Sequence, residues 1–237
     1  GRLDDMAIGI KCLIAKNKNE AENYAKQLVV FNEQRKLVEQ KMKDEALAIL
    51  SDCVIEDDYT ITMYDIDWHQ GVIGILASRL KEKYYRPTII FAKDDSGFLK
   101  GSGRSITSFH LKDALDLISK KVPDLILTFG GHAMAAGLTI RPENFESFCT
   151  EFEVIAKKLI SPDDLNLTIK FDKSIPTEYL NHNTIQIINS QIWGQGFPAP
   201  VFFGIFDVVS QEVIKDKHNK CILKSEYGVY DAIIFNF

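Results

Sequence analysis

With 237 residues, 46% of them apolar and 26% charged, the chain has the make-up of an ordinary globular protein with room for one large domain or two small ones. No apolar run nears the roughly 20 residues that cross a bilayer and no signal-peptide pattern opens the chain, while four cysteines (Cys12, Cys53, Cys149, Cys221) far apart and without a CxxC pair weigh against a disulfide framework or zinc ribbon and point to reduced thiols in the cytoplasm. A net charge of −5 speaks against a nucleic-acid binder, but its distribution does not: Trp68 to Arg141 holds eleven Lys/Arg against six Asp/Glu, whereas Lys18 to Asp58 holds six against ten and Ser161 to Phe237 six against nine, so a phosphate-bearing partner is drawn to the middle of the chain.

Residues 1–17 read as the tail of something larger, because the apolar-rich helix expected from Met6 to Ala15 needs a partner. Over 18–52 the spacing of Tyr24, Leu28, Phe31, Val38, Met42 and Ile49 predicts one long amphipathic helix. No Pro or Gly falls between Lys11 and Gly71, so this strut of about 30 residues reaches roughly 45 Å. Helices of that length with a single apolar stripe connect domains or cover the flank of one.

Strand and helix patterns alternate through 53–160. Tyr59 to Asp67, Thr88 to Ala92, Phe98 to Ile106, Leu125 to Phe129 and Leu138 to Ile140 read as strands. Gly71 to Tyr85, Leu111 to Val122 and Glu143 to Ile160 read as helices, the first ended by Pro87. Such alternation implies an α/β fold with a mixed sheet. Composition shifts at Ser161-Pro162-Asp163-Asp164. Beyond it, over 161–237, short strands (Leu167–Phe171, Val201–Val209, Val213–Asp216, Lys220–Ser225, Val229–Phe237) surround one helix near Thr177 to Ile192. That pattern suits a small OB-like β-barrel, which the apolar ending Ala232 to Phe237 leads us to expect is cut short.

Three segments could carry chemistry. Gly130-Gly131-His132-Ala133-Met134-Ala135-Ala136-Gly137 follows an apolar strand. Read as a tight strand-to-helix turn, it offers free N–H groups to an anion and sets His132 beside it; the alternative is a purely structural turn. Gly101-Ser102-Gly103-Arg104-Ser105 gathers backbone N–H groups, hydroxyls and a guanidinium suited to a terminal phosphate. It can equally be a glycine bulge in a hairpin, and Ile106 in place of a third glycine removes the dinucleotide fingerprint. Asp65, Asp67 and His69 would share a face if their strand continued, as metal ligands would, or they are solvated groups at a strand end.

Taken together and in order, these segments resemble the DHHA1 domain of RecJ-type exonucleases. The match runs through Gly1 to Asp5, Trp68 to Leu80, Arg86-Pro87, Lys100 to Ile106, Phe129 to Gly137 and Trp193 to Pro198, nearly the length of the chain. The resemblance implies an upstream DHH domain, the connecting helix, the mixed-sheet DHHA1 domain and then an OB fold. It implies hydrolysis of single-stranded DNA from its 5′ end, in repair and recombination, by two Mn²⁺ or Mg²⁺ ions that the DHH motifs would bind outside this chain. The chain alone is then expected to be inactive. Carried over, Ser102 and Arg104 would grip a phosphate near the 5′ end with Gly103 between them, Gly130, Gly131 and the catalytic His132 would line the substrate-binding cleft, and Arg2 would face the same cleft. Single-stranded-DNA-binding protein or a helicase would be the protein partners, and no membrane. The OB segment departs in being acidic and free of arginine, although Phe202, Phe203, Phe206, Tyr227 and Tyr230 are available for stacking. Two other readings stand beside this one: a DHH-family phosphodiesterase acting on short oligonucleotides or cyclic dinucleotides, and a non-catalytic nucleic-acid-binding module.

Overall fold

A computed structural model describes residues 3, 5–51, 57–176, 179–194, 197–214, 218–226 and 228–235. The chain divides into two compact units, Gly1–Leu167 and Thr168–Phe237.

The first unit opens with helices α1 (Ala7–Leu13) and α2 (Lys18–Ser51). At 34 residues α2 extends about 51 Å. Only its C-terminal part is buried, through Met42, Ala46 and Leu50. The apolar stripe expected to end at Ile49 turns there by one position, and Ile49 is exposed.

A five-stranded sheet forms the centre of this unit, in the order β1 (Ile61–Tyr64), β2 (Thr88–Lys93), β3 (Leu99–Arg104), β5 (Ala135–Ile140), β4 (Thr128–Gly131). The β1–β2 pair is parallel and the others antiparallel, so the sheet is mixed. Burial on both faces explains why β2 reads as an unbroken apolar run rather than an alternating one. On one face Ile89, Phe91, Leu99, Ala136 and Leu138 pack against α4 (Leu111–Lys121) and α5 (Phe145–Leu159). On the other, Ile90, Ala92, Ile61 and Met63 pack under α3 (Ile73–Tyr84) and the end of α2, around Leu76, Leu80 and the indole of Trp68.

α3 covers only part of that second face. It packs on β2 and β3, while Gly137 of β5 and Thr128 and Gly130 of β4 are exposed on that face.

The second unit holds a short parallel pair, β6 (Lys173–Ser174) with β7 (Phe202–Phe203), and helix α6 (His182–Ser190). It also holds an antiparallel meander of β8 (Asp207–Ile214), β9 (His218–Ser225) and β10 (Gly228–Phe235). The strand expected at Leu167–Phe171 does not form: Thr168, Ile169 and Lys170 are exposed coil. Strands expected at Val201–Val209 and Val213–Asp216 are redrawn as β7 and β8, the latter kinked by a bulge between Val208 and Ser210. Among the described residues these strands form two separate sheets rather than a closed barrel.

Candidate nucleic-acid interface

Strand β3 alternates with a period of two. Leu99, Gly101 and Gly103 face the α4–α5 core, while Lys100, Ser102 and Arg104 lie on the half-covered face. The register extends that face across the sheet. Lys100 pairs with Thr139, Ser102 with Gly137 and Arg104 with Ala135; Thr139 in turn pairs with Thr128 and Gly137 with Gly130. The result is a shallow depression with a glycine floor at Gly130 and Gly137, lined on the β3 side by Lys100, and by register Ser102 and Arg104 continue the same row along β3.

These side chains are held. Arg104 Nη1 donates to the Gly103 carbonyl at 2.7 Å and to Ser102 Oγ at 3.4 Å. Lys100 Nζ donates to Thr139 Oγ1 at 3.0 Å and lies 3.7 Å from Asp94. Ser105, buried at the end of β3, donates its hydroxyl to the Phe109 carbonyl at 2.6 Å.

The glycine-rich segment at 130–137 departs from its expected form. It starts no helix but makes the β4–β5 hairpin, with His132 N–H donating to the Ala135 carbonyl at 2.8 Å. The helical preference of its Ala and Met residues is overridden by pairing with β3, whose register continues through Ala135 and Ala136. The hairpin tip docks through Ser105 N–H to Met134 O and Leu111 N–H to Ala133 O. An anion at a helix start is therefore not what His132 serves. It is exposed, one residue beyond β4, and continues the row of Thr128 and Gly130. Arg104 and His132 both neighbour Ala135, one through the β3 register and the other through the hairpin bond. Their backbones thus stand two strand spacings, roughly 10 Å, apart on one face.

Gly103 differs from its expected role. A Cβ there would come within 2.6 Å of Leu111 Cδ2, so the residue faces the core, and its backbone is engaged in the ladder on both sides. Arg2 lies outside the described residues. Asp65, Asp67 and His69 do not share a strand face, because β1 ends at Tyr64. Asp65 Oδ1 instead accepts from Asp67 N–H, and His69 Nδ1 from Gly71 N–H, as turn-forming side chains do. Among the described residues no group of three or more His, Cys, Asp and Glu could hold a metal ion.

Sequence reasoning gave no site role to Lys100, Thr128 or Gly137. The signal existed: Lys100, Ser102 and Arg104 at every second position of a predicted strand share a face. Reading the glycines as a cradle of N–H groups hid it. In the second unit Phe203 stacks on Phe171 at 5.3 Å and both are exposed, while Phe206 meets Tyr230 edge-on at 5.9 Å. Tyr227 lies outside the described residues.

Two domain families match the chain: the DHHA1 domain over residues 57–158 and the RecJ OB domain over 171–237. The single-stranded-DNA-specific exonuclease RecJ of Haemophilus influenzae is 42% identical over 244 residues, and that of Escherichia coli 38% over 242. Each match takes in 100% of this chain and 42% of the relative, so the chain spans about two fifths of the length of these relatives. The crystal structure of RecJ from Thermus thermophilus in complex with Mn²⁺ superposes with a TM-score of 0.77 at 25% identity, covering 98% of this chain and 33% of that one.

Proposed function

Since the chain belongs to the RecJ family and carries its DHHA1 and OB domains, we propose that it is the substrate-holding part of a 5′-to-3′ single-stranded-DNA exonuclease of DNA repair and recombination. The observation that carries this reading is the common face of Lys100, Ser102 and Arg104 beside the glycine strip of Gly130 and Gly137. A guanidinium and a hydroxyl two residues apart on a rigid strand suit the oxygens of a terminal phosphate. The bare floor lets the sugar–phosphate backbone lie close to the sheet. His132, at the end of the same strip, would donate to a phosphate oxygen of the strand being cut.

Hydrolysis in this reading takes place at Mn²⁺ or Mg²⁺ held by residues outside this chain, so the chain by itself releases no nucleotides. Its own residues bind and orient the strand. The RecJ OB match over 171–237 favours this reading over a phosphodiesterase of short oligonucleotides or cyclic dinucleotides. The protein would work in the cytoplasm, where single-stranded-DNA-binding protein and helicases are its natural partners.

Arg104→Ala in the intact exonuclease tests the assignment. One lost charge-assisted phosphate contact costs about 1.5–3 kcal/mol, so kcat/KM on 5′-phosphorylated single strands should fall roughly ten- to a hundred-fold. Unchanged kinetics would leave a nucleic-acid-binding module without a part in catalysis.

A further inference from the structure

Gly74 occupies the second position of α3, where the helix crosses β3. A Cβ built there would lie 2.9 Å from Ser102 Oγ, 3.2 Å from Arg104 Nη2 and 3.7 Å from Ser102 Cβ. These three nearest atoms all belong to the two side chains read above as phosphate ligands. The glycine is not required by conformation: the glycines with positive φ among the described residues are Gly97 and Gly131. Within a helix, alanine is the more favourable residue. Local propensity therefore argues for a side chain at this position, and only the space beside β3 argues against one.

Arg104 shows what that space is used for. Its Nη1 is turned back onto Ser102 Oγ and the Gly103 carbonyl, which sets Nη2 on the helix side against the bare α-carbon. The neighbouring α3 residues Ile73, Leu76 and Ala77 are buried in the core, and Ser78 spends its hydroxyl on the Gly74 carbonyl at 3.1 Å. The wall of the strip at this point is thus the backbone of α3 itself.

We infer that Gly74 is a positioning residue for 5′-phosphate recognition, its missing side chain holding open the slot in which Ser102 and Arg104 are set. This rests on the reading that those two residues take the terminal phosphate. A methyl group in the slot leaves the fold intact and shifts both side chains by some tenths of an ångström or more, enough to spoil a charge-assisted contact.

The test is Gly74→Ala in the intact exonuclease, assayed on matched single strands with a 5′ phosphate or a 5′ hydroxyl. The expected result is a fall of about ten-fold in kcat/KM on the phosphorylated strand, carried by KM. The hydroxyl strand should change less than about two-fold, with the melting temperature held or raised. In an Arg104→Ala background the same substitution should have no further effect on the preference. Equal losses on both strands would overturn the inference, as would a loss that persists without Arg104, or a melting temperature lowered by several degrees. If Arg104→Ala lowers the phosphate preference and Gly74→Ala does not, the inference fails and the binding strip stands. If Arg104→Ala leaves the preference untouched, the strip itself is refuted.

Discussion

Gly131 closes the β4–β5 hairpin at φ 143°, and a Cβ there would meet the Ala135 carbonyl at 2.3 Å. Both effects oppose any side chain. Gly131→Ala is expected to cost about 1–3 kcal/mol, seen as a melting temperature lower by roughly 3–10 °C; an unchanged melt would show that the turn relaxes freely. Cys149 makes a contrasting case on α5. Burial, followed by the charge of Glu146, pushes its thiol up from 9.0 to about 12. The folded chain therefore keeps the proton more tightly than the unfolded one, and this group's contribution to stability is lost as pH rises from 9.0 towards 12. At a pH of about 8, Cys149 should resist iodoacetamide in the native protein and react once denatured, a difference that mass spectrometry of the modified peptide measures. Rapid native labelling would contradict it.

At the scale of elements, the sequence was legible wherever one period dominated. α4 and α5 present apolar residues to one core at helical spacing (Leu111, Ala114, Leu115, Ile118; Phe148, Phe152, Ile155, Ala156), and β2 is apolar throughout because both its faces are covered. The hairpin was not legible. Ala133-Met134-Ala135-Ala136 has helical propensity, and only the partner strand β3, roughly 30 residues earlier in the chain, makes it a strand. The expected β1 runs too long for a related reason: Asp65 and Asp67 alternate like strand residues but are used in a turn. Of the candidate site, the residue types at Ser102, Arg104 and His132 were legible, as was the alternation that puts Ser102 and Arg104 on one face, but the extension of that face to His132 was not. That face depends on the register between strands, which no local pattern encodes. Gly103 shows the cost, since the same alternation that brings Ser102 and Arg104 together sends it to the opposite side.

For the whole molecule, a net charge of −5 coexists with a cationic strip because the positive excess lies in the segment that builds the sheet. In the proposed reading, attraction to a DNA strand would be local and screened by salt. The strip also has a direction. Lys100 and Arg104 are four residues apart on one extended strand, about 13 Å, and a β-ladder bonded on both sides does not stretch. If the proposed strip holds the strand, β3 would act as a fixed ruler laid along it. With the terminal phosphate at the Arg104 end, the Lys100 ammonium can reach only a phosphate farther inward. Lys100→Ala should accordingly weaken the intact enzyme on long strands and lower the magnitude of the salt slope by about 0.7, while leaving a dinucleotide unaffected. Equal losses on both lengths would mean that the scale is read from some other mark.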